Sequence, residues 1–277
     1  MAREQVLEIL EAQKGKVVSG LELAKQLGVT RSAVWKDIQA LRAQGVDIRS
    51  IKKTGYCLQE NSDILSAFRI RSSLQLDGQQ IQLHLQKKVD STNQRILCLA
   101  LEGAPGWSVC AAEEQTAGRG HAGRAFRSPH GKGAYCSILL YPPQGVFGRE
   151  LTMLAAVSVC DALSRYAGIE ASVRGSDDIL CGNKKLCGIL CEALTECESG
   201  RIQFAALGFG INVYTPPSSP ECDEQFETSL FACTGRYCNR SELIGSLISS
   251  LYAHFGLLLC REELEKRYQQ LNQGSPA

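Results

Sequence analysis

The sequence is poor in the residues that usually build metal sites and secreted disulfide scaffolds. It has four histidines, and its 13 cysteines include no Cys-x-x-Cys pair. Structural zinc sites are built from closely spaced cysteine and histidine ligands, so we expect no zinc site. An odd number of scattered cysteines is typical of reduced thiols, and we expect most of them to pack in the core as small hydrophobic side chains.

Long apolar runs are also missing. No run approaches the ~18 residues that a membrane-spanning helix needs, and the polar N-terminus does not resemble a secretory signal. Hydrophobic residues make up 44% of the chain and charged residues 21%, which excludes a disordered or coiled-coil protein. The length of 277 residues suits two domains of ~100–200 residues each. We therefore expect a cytoplasmic protein with no membrane contact.

Positive charge is concentrated near the N-terminus. Residues 1–60 hold ten Lys or Arg against seven Asp or Glu, although the whole chain has a net charge of only +1. A basic face confined to one small segment favours a polyanion as the partner of that segment alone. On charge alone, a solvated helix face stays an alternative.

Helical spacing and caps in the same segment predict a winged helix-turn-helix. Apolar residues predict a first helix over residues 3–14, Ser19 begins a short second helix, Thr30 begins a third over residues 31–44, and a hairpin follows over residues 46–58. This order is typical of a module that binds operator DNA, whereas a helical module used only for packing is the less favoured alternative. The side chains expected to contact DNA lie on the third helix and at the hairpin tip, and are Arg31, Ser32, Trp35, Lys36, Lys52 and Lys53.

The rest of the chain alternates strands with helices. A polar break at residues 60–63 predicts the domain boundary, which gives a DNA-binding domain over residues 1–62 and a second domain over residues 63–277. A connecting helix is predicted over residues 64–76. Strands are predicted at residues 81–89, 107–112, 134–141, 185–193 and 202–213, and helices at residues 90–101, 151–166, 241–259 and 262–271. The pattern predicts an α+β fold in which helices pack on a mixed sheet.

A loop with three glycines and interleaved arginines, Gly118–Arg124, lies between two of these strands. The backbone amides of such a loop can wrap around an anion. The loop is not a Walker A loop, because no Gly-Lys-Ser/Thr follows, and it does not begin a helix as a Rossmann fingerprint does. Taken alone it is weak evidence, and an ordinary surface loop is the alternative.

Four motifs in a fixed order carry a resemblance to a known family. They are Asp90-Ser91-Thr92-Asn93, the Gly118–Arg124 loop with Ser128-Pro129, Lys184–Leu190, and Gly208–Asn212. Together with an N-terminal winged helix, this series resembles the family of bifunctional biotin protein ligases and biotin operon repressors. The resemblance implies an α+β chain in which a winged helix-turn-helix precedes a mixed-sheet, biotin/lipoate-ligase-like catalytic domain.

The resemblance also implies a reaction and its partners. Biotin and ATP would form biotinyl-AMP, with Mg²⁺ assisting, and the biotinyl group would pass to a lysine of a biotin carboxyl carrier protein. Biotin would also act as the co-repressor, and the protein would bind operator DNA as a homodimer. A relative acting on lipoate or another acyl group is the alternative, and Ser91-Thr92 with the Gly118–Arg124 loop favours biotin.

The resemblance assigns a role to each candidate site residue. Lys185 and Arg119 would be catalytic, with Lys185 bridging the carboxylate and the phosphate. The residues that would bind biotin are Ser91, Thr92, Asn93, Gln115, Gly118, Arg119 and Gly188. The residues that would bind the nucleotide are His121, Arg124, Asp178 and Asn212, with Asp178 also the magnesium ligand.

Three departures from the family pattern fall on the nucleotide and acceptor side. His121 stands where the family usually has a second arginine, and an imidazole lacks the permanently charged fork of arginine. The family's Lys-Trp-Pro-Asn-Asp segment is Arg174-Gly175-Ser176-Asp177-Asp178 here, so the rigid Trp-Pro pair is replaced. We also expect the small SH3-like barrel of bacterial relatives to be missing after Ala277. The alternative function is therefore a DNA-binding biotin sensor in which ligation is impaired.

Overall fold

The computed structural model describes residues 2–43, 45–60, 62–76, 78, 80–214 and 227–272. The chain divides into two compact units, Met1–Arg69 and Ile70–Ala277. The boundary predicted from the sequence, after residue 62, lies a few residues before this division.

The first unit contains three helices and a three-stranded antiparallel sheet. The helices are α1 (Ala2–Ala12), α2 (Gly20–Leu27) and α3 (Arg31–Ala43). The strands are β1 (Val17–Val18), β2 (Ile48–Ile51) and β3 (Gly55–Leu58), in the order β1-β3-β2. The predicted helix-turn-helix and the hairpin after it are thereby confirmed, whereas the two-residue strand β1 was not predicted.

Local caps explain where α2 and α3 begin and end. The Ser19 hydroxyl accepts a hydrogen bond from the backbone N–H of Glu22 at 3.0 Å and so begins α2. Gly28 ends α2 with a φ of 65°, a left-handed conformation that glycine adopts without steric cost. The Thr30 hydroxyl then accepts from the N–H of Ala33 at 3.2 Å at the start of α3. The turn between the two helices is therefore encoded locally.

The winged-helix unit has its own apolar core and a fixed hairpin. Buried residues of all three helices pack together with the strands, including Val6, Leu10, Leu23, Val34, Ile38, Leu41, Ile48 and Leu58. Arg42 at the end of α3 donates to the carbonyl of Ile48 at 2.7 Å and to the hydroxyl of Ser50 at 2.8 Å. These bonds hold the hairpin against α3, the helix that carries the predicted DNA contacts.

The helices and strands of the remainder follow in chain order. The helices are α4 (Ala67–Ser72), α5 (Thr92–Leu101), α6 (Gly148–Ala167), α7 (Leu230–Thr234), α8 (Arg240–His254) and α9 (Arg261–Asn272). The strands are β4 (Gln82–Gln86), β5 (Ser108–Ala112), β6 (Gly133–Leu140), β7 (Ala171–Arg174), β8 (Asp178–Cys181), β9 (Lys184–Thr195) and β10 (Ile202–Asn212). Short 3₁₀ turns lie at His121–Gly123 and Phe255–Leu259.

Seven strands form one mixed sheet in the order β4-β5-β6-β10-β9-β8-β7. The pair β4–β5 is parallel and every other pair is antiparallel, which confirms the predicted mixed sheet. Helices α6 and α8 pack on each other and on the sheet. Strands β7 and β8 were not predicted as strands.

The connecting helix predicted over residues 64–76 is wrong in length, since α4 covers only Ala67–Ser72. The Ser66 hydroxyl accepts from the N–H of Arg69 at 3.2 Å, which starts the helix only after Ser66. At the other end, the N–H of Gln75 donates to the hydroxyl of Ser249 at 2.8 Å. That bond draws the backbone away from a helical path.

Among the described residues, one helical segment, Arg240–Leu259, is long and apolar enough to cross a membrane by length and composition alone. The sequence prediction did not recognise it. Its apolar window is 56% buried within the fold, and a core helix that packs on a neighbour such as α6 meets the same criteria. The segment is therefore weak evidence for a membrane span.

The twelve cysteines that the structure describes are all free thiols. Six of them are buried and three are exposed, so the expectation of a mostly buried set is correct for half of them. Burial raises the pKa of Cys110, Cys136 and Cys160 to about 12. These thiols stay protonated near neutral pH, and they act as small hydrophobic side chains rather than as nucleophiles.

Candidate ligand and DNA sites

Two adjacent pockets lie in the second unit, where the start of α5, the Gly118–Arg124 loop, β9 and β10 meet. The first pocket is lined by Ser91, Thr92, Asn93, Gln115, Arg119, Gly120, His121, Phe126, Asp177, Lys185, Gly188, Ile189, Leu190, Gly208, Phe209 and Gly210. The second is lined by Gly120, His121, Arg124, Ala125, Phe126, Arg127, Asp177, Asp178, Lys185, Cys187, Gly188, Asn212 and Glu227. The pockets share a border, because six residues belong to both walls: Gly120, His121, Phe126, Asp177, Lys185 and Gly188.

The N-terminus of α5 supplies polar groups to the first pocket. Ser91 caps the helix, and its hydroxyl accepts from the N–H of Gln94 at 3.5 Å. The Gln115 side-chain oxygen accepts from the N–H of Thr92 at 2.8 Å and lies 3.0 Å from the Thr92 hydroxyl. The amide nitrogen of Gln115 donates to the Ser128 hydroxyl at 2.7 Å. Both donors and acceptors therefore line this end of the pocket.

Asn93 lies on the pocket wall, but its amide is engaged with the sheet. Its nitrogen donates to the carbonyl of Leu190 at 3.2 Å and to the carboxylate of Glu192 at 2.9 Å. Its oxygen lies 2.6 Å from the Ser137 hydroxyl. A Cβ on Gly208 would clash with this amide, so glycine is needed at that position. The contacts hold the start of α5 against the sheet.

The glycine-rich loop folds back on itself. Bridges pair Gln115 with Ser128 and Arg119 with Ala125, and the N–H of Phe126 donates to the carbonyl of Gly118 at 2.8 Å. A Cβ on Gly118 would clash with the carbonyl oxygen of Phe126, so only glycine fits there. Gly118 thus packs behind the pocket rather than lining it. The fold of the loop aims Arg119 at the first pocket and places Arg124 at the second.

Lys185 lies at the border between the two pockets within an ion-pair cluster. Its ammonium nitrogen is 2.5 Å from one carboxylate oxygen of Asp178, and Arg174 donates to the other oxygen at 3.2 Å. A Cβ on Gly188 would lie 3.5 Å from that nitrogen and 3.3 Å from the Phe126 ring. Glycine at this position therefore leaves the ammonium group accessible from both pockets.

Carboxylates and cations face each other in the second pocket. Asp177, Asp178 and Glu227 line it beside the cations Arg124, Arg127 and Lys185. Among the described residues, no group of three or more histidine, cysteine or acidic side chains is arranged to hold a metal ion by itself. Magnesium does not require such a group, because one or two carboxylates together with substrate phosphates usually hold it.

The structure brings the predicted ligand residues together, apart from Gly118, which lies just behind. Sequence reasoning missed Phe126 and Glu227, which line the pockets, and Ser137, which lies beneath Thr92. A bridge pairs Glu227 with Lys185 and places it at the site. No sequence pattern linked Glu227 to Lys185. Phe126 could have been found, because an aromatic residue between Arg124 and Arg127 in a glycine-rich loop indicates a ligand contact.

All six predicted DNA contacts are exposed on the first unit. Arg31, Ser32, Trp35 and Lys36 lie on one face of α3, and Lys52 and Lys53 lie at the tip of the β2–β3 hairpin. Trp35 is 54% exposed, so its ring is accessible on this face. The opposite face of α3, with Val34, Ile38 and Leu41, is buried.

Comparisons with known proteins agree with this organisation. A model described as "HTH domain" matches residues 2–57, and one described as "Biotin/lipoate A/B protein ligase family" matches residues 85–212. The chain is 32% identical over 269 residues to the bifunctional ligase/repressor BirA of Bacillus subtilis (strain 168), a match that covers 96% of this chain and 78% of that relative. It is 34% identical over 200 residues to the protein of the same name from Escherichia coli (strain K12), covering 72% and 60% respectively.

A solved structure shares the fold over much of the chain. It is a biotin protein ligase from Aquifex aeolicus in complex with biotin and ATP, with a TM-score of 0.60 and 26% sequence identity. The likeness covers 69% of this chain and 78% of that one.

Proposed function

The chain belongs to the biotin/lipoate A/B protein ligase family, among its bifunctional ligase/repressors, and from this premise we propose how its residues divide the work. It is an ATP-dependent biotin protein ligase that also binds DNA through its helix-turn-helix domain. We propose that the first pocket binds biotin, that the second binds the nucleotide, and that Lys185 acts at their shared border.

Biotin binding in the first pocket needs donors and acceptors for a ring urea. The Ser91 and Thr92 hydroxyls, the Gln115 amide and the Arg119 backbone would supply them at one end of the pocket. Asn93 and Gly118 hold these groups in place from behind, and Gly188 gives the acyl tail room to reach Lys185. A buried urea whose groups are all paired is bound specifically, because an unpaired polar group in the pocket is costly.

Lys185 is the proposed catalytic cation. In the first step the biotin carboxylate attacks the α-phosphate of ATP and pyrophosphate leaves, which gives the mixed anhydride biotinyl-AMP. Two anions must therefore approach each other. An ammonium group at the border of both pockets offsets that repulsion, and Arg119 supports it from the loop. The single observation that carries the proposal is the position of Lys185 in the walls of both pockets. A lysine amine of the acceptor protein then attacks the mixed anhydride, and AMP leaves.

The nucleotide side is assigned to His121, Arg124, Asp178 and Asn212. All four line the second pocket, where Arg124 supplies positive charge and Asn212 a neutral hydrogen-bonding amide. The carboxylate of Asp178 would hold Mg²⁺ there, and the ion would neutralise phosphate charge when bound. We further propose that the protein works in the cytoplasm and binds palindromic operator DNA as a homodimer, since a winged helix reads two-fold related half-sites.

Pyrophosphate release tests the enzymatic proposal. The full chain is mixed with biotin, ATP and Mg²⁺ without an acceptor protein, and pyrophosphate is followed over time. We expect a burst of about one pyrophosphate per chain, because the adenylate stays bound until an acceptor arrives. Mixtures lacking biotin or Mg²⁺ serve as controls and should release none.

The other outcomes of this experiment are equally informative. Continuous release would still establish adenylation, and it would mean that a loop with His121 in place of a second arginine retains the adenylate poorly. No release, with biotin bound in a parallel titration, would contradict ligation. The chain would then be a biotin sensor that keeps the biotin pocket without the chemistry.

DNA binding through α3 predicts a salt-dependent loss on removing its charges. The double variant Arg31→Ala/Lys36→Ala should bind operator DNA about 10- to 100-fold more weakly, and the slope of log K against log salt should flatten by ~1 per lost phosphate contact. Lys184→Ala/Lys266→Ala removes the same charge from exposed positions of the second unit and should change neither quantity. An unaltered salt slope in the α3 variant would contradict its role as the DNA-reading helix.

A further inference from the structure

A chain of polar side chains, buried at its centre and half-buried at its two ends, lies along the first pocket. It runs from Glu192 through Asn93, Ser137 and Thr92 to Gln115, with successive contacts of 2.6–3.0 Å. Asn93 is 3% exposed, Ser137 0% and Thr92 4%. Water therefore cannot satisfy these groups from behind, and each hydrogen must be accounted for within the chain.

The orientation of both amides follows from their fixed partners. The backbone N–H of Thr92 can only donate, so the atom of Gln115 that faces it at 2.8 Å is the carbonyl oxygen. The Asn93 nitrogen faces two acceptors, the Leu190 carbonyl at 3.2 Å and the Glu192 carboxylate at 2.9 Å. The Asn93 oxygen is therefore the atom that faces Ser137 at 2.6 Å.

Two hydroxyl hydrogens then serve three oxygen–oxygen contacts. Ser137 Oγ lies 2.6 Å from Asn93 Oδ1 and 2.7 Å from Thr92 Oγ1, and Thr92 Oγ1 lies 3.0 Å from Gln115 Oε1. Neither amide oxygen carries a hydrogen. Both hydroxyl hydrogens are consumed inside the chain, so Thr92 has none left for a ligand and presents lone pairs alone to the pocket.

We propose that Ser137, backed by Asn93 and Glu192, is a positioning residue that makes Thr92 an obligate acceptor and so sets the pocket's preference for a head group with an N–H at that point. The inference rests on the proposed biotin pocket. If Thr92 turned its hydrogen to the ligand, the one hydrogen of Ser137 would have to serve both Thr92 and Asn93. A buried oxygen would then lose its donor, which makes that rotation unfavourable.

The ligand class follows from this polarity. A ring urea offers N–H groups, and the acceptor on Thr92 can pair with one of them. A ring in which that N–H is replaced by oxygen would place two sets of lone pairs against each other. The pocket should therefore prefer a cyclic urea over a cyclic carbamate of the same shape, and over an apolar head group that offers no donor.

The test uses biotin and its two cyclic-carbamate analogues, each with one ring N–H replaced by oxygen, and measures Kd for the full chain by titration calorimetry without ATP. The native protein should bind one of the analogues about 100-fold more weakly than biotin. In Ser137→Ala, Asn93 has already lost its donor, so Thr92 can rotate and donate to the ring oxygen. The ratio of the Kd of that analogue to the Kd of biotin should then fall by roughly 10-fold.

Two further variants and one control make the result decisive. Asn93→Ala frees the Ser137 hydrogen and should lower the ratio as Ser137→Ala does, which keeps the test valid if Ser137→Ala fails to fold. Thr92→Val should weaken biotin binding and bring the ratio near one. Ser158→Ala removes another fully buried hydroxyl, one that contacts the Leu154 carbonyl on α6, and should leave the ratio unchanged.

The possible outcomes separate this inference from the proposed function. If the native chain binds no biotin, the proposed function fails. If the native chain binds biotin and both analogues with the same Kd, biotin binding stands and the role of Ser137 is overturned. The same conclusion follows if the ratio of Kd values is unchanged in both Ser137→Ala and Asn93→Ala. A weakening of all ligands by the same factor would indicate a merely structural role and would also overturn the inference.

Discussion

Lys185→Met is expected to lower the rate of biotin-dependent pyrophosphate release by about 10³-fold, because a fixed charge at the reacting groups is usually worth ~10²–10³ in rate. Methionine is unbranched and keeps an apolar stem of similar length, but it lacks the ammonium group. Asp178 retains Arg174, whose guanidinium lies 3.2 Å from its second carboxylate oxygen, so no carboxylate is left without a partner. The fold should therefore survive, and a thermal melt would check this.

The neighbouring Lys184 offers a matched control. It is exposed and lies in neither pocket wall, so Lys184→Met changes the same charge without touching the reacting groups. Its rate should equal that of the native chain. Biotin affinity measured without ATP should fall much less than the rate in Lys185→Met, because the ring urea is held at the other end of the pocket, and it should not change in Lys184→Met. Full turnover in Lys185→Met would exclude this lysine as the catalytic cation.

The predictable part of the fold is the part with strong local signals. The cap at Ser91 and the apolar spacing after it place α5 correctly at Thr92–Leu101. Strands β7 and β8 were missed because each has only four residues, and the Arg174–Asp178 segment between them was considered only as a motif. The structure makes that segment a hairpin turn in which Arg174 pairs with Asp178. Tertiary pairing, rather than local propensity, fixes such short strands.

The site shows the same division. Thr92, Gln115 and Lys185 lie in recognisable motifs, so a resemblance was enough to nominate them, although their roles stay proposals. Ser137 lies within an apolar strand and reads as part of the core. Its importance depends on register, which places it opposite Gly208, the one residue small enough to admit the Asn93 amide. No spacing along the chain encodes that contact.

The second large effect is expected for a buried ion pair whose partners lie close in the chain or in the sheet to pocket residues. Arg240 is 1% exposed, and its guanidinium lies 2.6 Å from the Glu113 carboxylate and 3.4 Å from the Gly133 carbonyl. Glu113 lies two residues before Gln115, and Gly133 pairs with Asn212 in the sheet. Arg240 also occupies the first turn of α8, where a positive charge is opposed by the helix dipole and needs a nearby anion.

Arg240→Met should lower the free energy of unfolding by about 3–5 kcal/mol, because it removes the cation that lies 2.6 Å from the buried Glu113 carboxylate. For a chain of this size that loss corresponds to a fall in Tm of ~10 °C, measurable by scanning calorimetry. The double variant Arg240→Met/Glu113→Gln removes both charges and should recover most of the lost stability. If the double variant is no more stable than the single one, the cost lies in packing rather than in the uncompensated charge. If the charge is responsible, Arg240→Met should also weaken biotin binding and the double variant should restore it, since the same pair holds the strand end that leads to Gln115.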